Sequence, residues 1–296
     1  MNISNPIIFN GHGSAVYCLL SKNQNAFYSG SGDHHLIEWS IETPDKGTVV
    51  AILPAGIYSF TLFNDLLFAG CGNGEIHSVN IKNTSALAKA HLHNSYVFDL
   101  FLNNHQLYTA GGDGQIIRTG LQLNKHASVR LGDFKIRKLL PHPDEQHIIA
   151  GCGDGTVRII NSNTLKEEQI ITAHNTGFSV NALCFTPDKK FLLTGSRDAR
   201  LNVFDVQQNF KLIESIAAHN YAIYAIAFNP SGKLMATASR DKKIKIWNDD
   251  LTFLSRIEEH PAGHKNSVNT LCWLSDTELI TTGDDRCIML WHLSAS

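Results

Sequence analysis

A chain of 296 residues, 43% hydrophobic and 18% charged, can bury a sizeable core and is neither disordered nor fibrous. Its formal net charge of −2 argues against nucleic acid as a partner, since such a footprint needs excess Lys and Arg to displace counterions from phosphates. No stretch approaches bilayer-spanning length, and the opening MNISNPIIFNGHGS has neither a basic leader nor the apolar core of a signal peptide. No membrane partner is expected, and the expected location is cytoplasmic, or nuclear where the cell has a nucleus. Six cysteines, Cys18, Cys71, Cys152, Cys184, Cys272 and Cys287, form no CxxC pair and read as buried, reduced thiols.

In chain order, the apolar run Pro6-Ile7-Ile8-Phe9 comes first. A unit then repeats seven times, ending SGSGDHHLIEW (29–39) in its first copy, TASRDKKIKIW (237–247) in its sixth and TTGDDRCIMLW (281–291) in its last. The acid or amide before the last run of each unit is Asp33, Asn73, Asp113, Asp154, Asp198, Asp241 and Asp285, a spacing of 40 to 44 residues that signals an array of supersecondary units. The sixth copy shows the parse: runs at 211–217, 222–228, 233–239 and 243–247 are separated by turn signals such as Asn229-Pro230-Ser231-Gly232. Four short strands per unit predict one antiparallel blade, and no window has a sustained helical period. Asn73-Gly74, Asp113-Gly114 and Asp154-Gly155 predict tight two-residue hairpins between the third and fourth runs. The array runs without a linker, so 1–296 is expected to be one domain.

Three elements recur in register: a histidine (His12, His174, His219, His264) 21 to 24 residues before the marker, a hydroxyl four before it, and Trp six after it. With these the chain resembles the WD-repeat family over essentially its whole length. The resemblance implies an all-β, seven-bladed β-propeller of four-stranded antiparallel blades around a central channel. The last unit supplies only three strands, so the N-terminal strand is expected to pair into the last blade and close the ring.

The resemblance also implies a buried hydrogen-bond chain in each blade: His12, Ser29, Asp33 and Trp39 in the first, His219, Thr237, Asp241 and Trp247 in the sixth, and His264, Thr281, Asp285 and Trp291 in the seventh. The carboxylate holds the imidazole, and the hydroxyl serves imidazole and indole, so each polar atom is satisfied. The fifth copy keeps His174, Thr194 and Asp198 with Phe204. The third keeps His91, Thr109 and Asp113 with Thr119, and both staples are expected to be weaker. The second and fourth lose their partners together, with Ala69 and Val79 and with Ala150 and Ile160, as expected where half a buried network costs more than an apolar replacement.

Other chemistry reads as structural. Ser29, His12 and Asp33 match a triad in composition, but their hydroxyl lies within a blade, away from any oxyanion hole. GCGNG (70–74) and GCGDG (151–155) precede strands rather than helices, and are turns rather than phosphate loops. His91 with His93, and His34 with His35, have no further ligand at recognisable spacing, so neither a metal nor a cofactor is expected.

The first inner-strand position, Val16, Ile57, Val97, Ile136, Val180, Ile223 or Val268, is apolar in all seven copies. In the family, the residues beside it and the one before the marker face the channel mouth, where peptides commonly bind. By register this implies a rim with Tyr17, Tyr58, Tyr96, Phe98, Lys135, Arg137, Tyr224, Arg197, Arg240 and Asp284, where the first four blades stay low and bare with Gly32, Gly72, Gly112 and Gly153. Aromatic residues beside arginines suit an extended peptide with acidic or phosphorylated residues. The expected function is therefore a non-catalytic protein-interaction scaffold, a monomeric propeller within a hetero-complex. The alternatives are an anion or phospho-ligand sensor using Lys135, Arg137, Arg197 and Arg240, or a propeller enzyme using the channel mouth.

Overall fold

The strands form seven antiparallel sheets that stand as blades around a channel in the computed structural model, which describes residues 1–260 and 262–294. Blade and repeat are offset by one strand: each blade takes the first run of the next repeat as its outer strand, so Lys211–Ile216, read with the sixth copy, completes blade 5. Among the described residues every regular element is a strand, and no helix is long and apolar enough to cross a membrane. Blade 1 comprises Val16–Asn23, Ala26–Ser31, His35–Ser40 and Thr48–Ile52 from channel to perimeter. Blades 2 to 6 repeat the plan from Ile57, Val97, Ile136, Val180 and Ile223. Blade 7 has Val268–Trp273, Glu278–Gly283 and Ile288–Ser294.

The ring closes as expected. Ile7–Phe9 pairs antiparallel with the third strand of blade 7 in the register Ile7 to Leu290, Ile8 to Met289 and Phe9 to Ile288. Asn2–Ile3 extends the pairing along the same strand, opposite Ser294 and Leu293. The closing strand therefore supplies the outer edge of the last blade and leads straight into the first, which leaves no blade with an incomplete sheet.

The core lies between blades. Facing surfaces of blades 1 and 2 bury Tyr28, Leu36, Val50 and Leu53 against Ile57, Phe60, Leu67 and Val79. At the closure, Phe9, Phe27, Ile37 and Trp39 meet Leu274, Ile280, Ile288 and Leu290. A middle strand such as Leu66–Cys71 is buried at five consecutive positions because both of its faces are covered. That is why these strands read as continuous apolar runs instead of alternating. All six cysteines are free thiols. Burial pushes Cys71 and Cys152 up to about 12, so neither is a ready nucleophile.

Two local features differ from the sequence expectation. The marker turns are longer than two-residue hairpins: regular pairing stops at Gly70 opposite Ile76, and Gly74 N–H closes a turn on Cys71 C=O. Only the residue after the marker takes positive φ, Gly74 at 85°, Gly114 at 75° and Gly155 at 93°. His34, Ala199, Lys242 and Arg286 hold the same conformation at 67–75°. The marker makes this possible, because in all seven blades its side-chain oxygen accepts the backbone N–H two residues on, an Asx turn.

The second feature is a β-bulge near the start of every inner strand. Register slips between Val16 and Cys18, Ile57 and Ser59, Val97 and Asp99, Ile136 and Lys138, Val180 and Ala182, Ile223 and Ala225, and Val268 and Thr270. The skipped residues are Tyr17, Tyr58, Phe98, Arg137, Asn181, Tyr224 and Asn269. A bulge leaves one residue outside the ladder and re-aims its side chain.

Candidate functional site

Beneath the mouth, buried staples hold the turns that carry it. In blade 1, His12 Nδ1–H donates to Asp33 at 2.9 Å, and the Ser29 hydroxyl, 2.7 Å from His12 Nε2, accepts the Trp39 indole N–H at 2.7 Å. The same Asp33 oxygen, Oδ2, also accepts the Gly13 amide N–H at 2.7 Å, which ties the incoming loop to the marker turn. Blades 6 and 7 repeat the chain through His219, Thr237, Asp241 and Trp247 and through His264, Thr281, Asp285 and Trp291. These hydroxyls are fully buried. Burial, opposed by the Asp33 hydrogen bond, lowers the His12 pKa, consistent with a neutral ring.

The third staple uses a different histidine from the one expected. His93, not His91, meets Asp113 at 3.0 Å and Thr109 at 2.8 Å. His91 ends the outer strand of blade 2 opposite Glu75 and is exposed, while His93 is 1% exposed. The packing is close: a Cβ at Gly111 would lie 2.2 Å from His93 Nδ1.

Elsewhere the missing Trp and hydroxyl are compensated in ways the sequence reading did not identify. In blade 5, where Phe204 is buried, His174 still joins Asp198 and Thr194, and Asn202 donates to Ala173 C=O at 2.6 Å. Blade 4 fills its core with Ala150 and Ile160 but rebuilds a staple outside it. There Arg158 reaches Asp154 at 3.0 Å, Glu167 at 2.6 Å and Leu131 C=O in the incoming loop at 3.1 Å, with its guanidinium 4.7 Å from the Phe134 ring centre. In blade 2, Asn73 and His77 both reach Glu75 at 3.0 Å.

Around the channel the seven bulge residues converge. With Asp284 at the lip, they line a cavity of about 410 Å³. Their surroundings are equivalent in every blade, because the amide before each marker donates to the carbonyl before each inner strand at 2.8–2.9 Å, from Gly32 to Ala15 round to Asp284 to Ser267. The bulge and the marker turn are thereby fixed side by side.

The mouth is chemically divided. On blades 1 to 3, Tyr17 stacks on Tyr58 at 4.4 Å, Tyr58 meets Tyr96 edge-on at 4.9 Å, and Tyr96 stacks on Phe98 at 5.6 Å. The glycines of these blades are covered rather than bare: a Cβ at Gly72 would lie 3.0 Å from the Tyr58 ring, and one at Gly112 would lie 3.1 Å from the Phe98 ring. Tyr96 lies outside the cavity wall and is 42% exposed. On blade 4, the Arg137 guanidinium sits 4.2 Å over the Phe98 ring and Lys135 reaches the same ring at 5.8 Å. Arg137 Nε and Ser179 Oγ are buried at the mouth without a hydrogen-bond partner among the described residues. Burial pulls the Arg137 pKa below its ordinary value.

Arg197 and Arg240 lie outside the cavity wall, exposed on blades 5 and 6, and make no ion pair among the described residues. Asp284 accepts from Asn269 at 2.8 Å. Tyr224 belongs to the wall, and Tyr58, whose hydroxyl is raised by burial, stands opposite the cationic half. Two aromatic residues of this face escaped the sequence reading, Phe178 at 40% and Tyr221 at 61% exposure. Their carbonyls accept the Ser196 and Ser239 hydroxyls as Ser14 accepts Ser31. The register signal that finds them is the position two before the apolar inner-strand start.

The repeat profile described as WD domain, G-beta repeat matches residues 4–40, 124–161, 165–205, 210–248 and 255–292, and the chain belongs to that family. It is similar to the 66 kDa stress protein of Physarum polycephalum, 23% identical over 96% of this chain and 47% of the relative. It is also similar to eukaryotic translation initiation factor 3 subunit I of Culex quinquefasciatus, 26% identical over 67% of this chain and 53% of the relative. The chain thus spans about half the length of these curated relatives. The crystal structure of the WD40 β-propeller domain of Doa1 superposes with a TM-score of 0.85 at 16% identity, covering 99% of this chain and 97% of that one, and shares the fold.

Proposed function

We propose that this propeller is a non-catalytic scaffold that holds an extended segment of a partner protein across the channel mouth, within a larger assembly. The segment carries an acidic or phosphorylated side chain. The observation that carries this reading is Arg137, stacked on Phe98 at the wall of the cavity, whose guanidinium makes no hydrogen bond or ion pair among the described residues. A guanidinium held by an aromatic face and short of acceptors is preorganised for a carboxylate or phosphate. Exposed Lys135, Arg197 and Arg240 extend the same charge outward, and the Tyr17, Tyr58, Tyr96 and Phe98 stack offers a rigid contact surface opposite.

The acids that reach the channel favour a scaffold over an enzyme. Asp99 takes the Lys138 ammonium at 3.0 Å and the Leu139 amide at 2.8 Å, and Asp284 is engaged by Asn269. Neither is a free general base. The Culex relative, named as a subunit of an initiation factor, accords with a role inside an assembly. Affinity purification tests the reading, comparing the wild-type chain with a Tyr17, Phe98 and Tyr224 triple alanine variant of unchanged melting temperature. Loss of the partner is expected, and equal recovery refutes the site.

A further inference from the structure

On the face opposite the mouth, the turn joining the first two strands of blade 4 carries the sequence His142-Pro143-Asp144-Glu145-Gln146-His147. We propose that this turn is a zinc site, with His142, Asp144 and His147 as ligands and Glu168 orienting His147 from the outer strand of the same blade. The ligand atoms of the three residues all lie within 4.8 Å of one another. Asp144 bridges the two rings, 2.9 Å from His142 Nδ1 and 2.6 Å from His147 Nδ1. A tetrahedral ion with bonds of ~2.0–2.2 Å holds its ligands roughly 3.3–3.6 Å apart, so small ring rotations suffice.

The surroundings are those of a built site. Glu168 lies 2.9 Å from His147 Nε2, the carboxylate–imidazole pairing that fixes a ligating ring through its other nitrogen. His147 holds a carboxylate on each ring nitrogen, Asp144 at Nδ1 and Glu168 at Nε2, so a zinc ion on Nδ1 takes the place of the proton otherwise shared with Asp144. The His142 ring stands edge-on against Phe185 and Phe210 of blade 5, at 5.8 and 6.0 Å, which restricts its orientation.

The turn itself has no need of histidine. The closing hydrogen bond from His142 N–H to His147 C=O recurs from Thr186 to Phe191 in blade 5 and from Asn229 to Leu234 in blade 6. There a hydroxyl or an amide does the polar work, as in Thr186 donating to Asp188 at 2.7 Å, and an apolar residue takes the place of His147. His142 thus takes the hydroxyl's place against Asp144, and His147 is the imidazole that goes beyond what folding this turn requires. Water completes the zinc coordination at the exposed side.

Calorimetric titration of the metal-free full chain with zinc, after removal of any purification tag, tests the site, with cobalt(II) as a spectroscopic probe of tetrahedral coordination. One equivalent of zinc and a visible cobalt band are expected. His147→Phe, the residue blade 5 uses, is expected to weaken zinc binding by at least about tenfold, and Glu168→Gln by about tenfold, both with unchanged circular dichroism. His142→Thr, copied from the same turn, is the second variant should His147→Phe fail to fold. Absence of binding, or zinc held equally well by the folded variants through other surface histidines, overturns the proposal.

Discussion

At the scale of single residues, the marker acid has two separable tasks. Its Asx turn is local and survives in every blade, whereas its bond to histidine needs a neighbour brought in by the preceding loop. This explains why Asn73 and Asp154 persist in blades without that histidine. The His91 misassignment has a physical cause: counting back from the next marker crosses a turn of variable length. Counting forward is tighter, because the His93, His174 and His219 amides all bond to the residue after the preceding marker, Gly74, Gly155 and Ala199. Removing His93 strands buried Thr109 and Asp113, so His93→Ala is expected to cost ~2–4 kcal/mol in chemical denaturation. His91→Ala, at an exposed strand end, is expected to change stability by less than ~0.5 kcal/mol.

The same staples set the acid limit. Burial alone would raise Asp113 and Asp241, but their histidine hydrogen bonds and the amides of Asn94 and Asn220 outweigh it and hold both at about 2. A carboxyl lowered on folding contributes stability above its unfolded pKa of ~3.9 and loses that contribution as pH falls through the folded value. His12, lowered from 6.5, likewise stabilises above that pH and progressively less below it. Melting temperature is therefore expected to decline gently below about 6.5 and steeply between about 4 and 2. His93→Ala should remove part of the steep phase, and a flat profile down to pH 3 contradicts this assignment.

At the scale of elements, the seven apolar inner-strand starts were legible because burial leaves a compositional mark. The bulges beside them were not: an unpaired residue can be Tyr58, Arg137 or Asn181, and side-chain type carries no trace of a skipped rung. The positions after the inner-strand starts were thus reached through family resemblance, and the bulge is what turns Tyr17, Tyr58, Phe98, Arg137 and Tyr224 toward the channel. Closure was legible from strand counting. It rests on Ile7–Phe9 and on Phe9 in particular, fully buried and edge-on to Phe27 at 5.1 Å and Trp39 at 5.8 Å. Deleting residues 1–9 opens the outer edge of blade 7 and uncovers the interface with blade 1. Calorimetry of the truncated chain is expected to show a melting temperature lower by on the order of 10 °C or more, and an unchanged value contradicts the closure.

At the scale of the whole molecule, the ring turns small differences between repeats into a polarised face. Blades 1 to 3 bring glycine before the marker and an aromatic ring over it, and blades 4 to 6 bring Lys135, Arg137, Arg197 and Arg240. A net charge of −2 concealed this partition, since composition averages over surfaces that the fold keeps apart. A segment bound across this face as proposed would meet stacked rings at one end and cations at the other, which would set its direction.

The most direct test is recovery of the native partner by the wild-type chain and by the Tyr17, Phe98 and Tyr224 triple alanine variant, each at low and high salt and with melting temperatures matched. Recovery should be lost in the variant and should fall with salt for the wild type, as expected where charge contributes to holding the segment. Equal recovery by both chains, insensitive to salt, would place the partner elsewhere on the propeller.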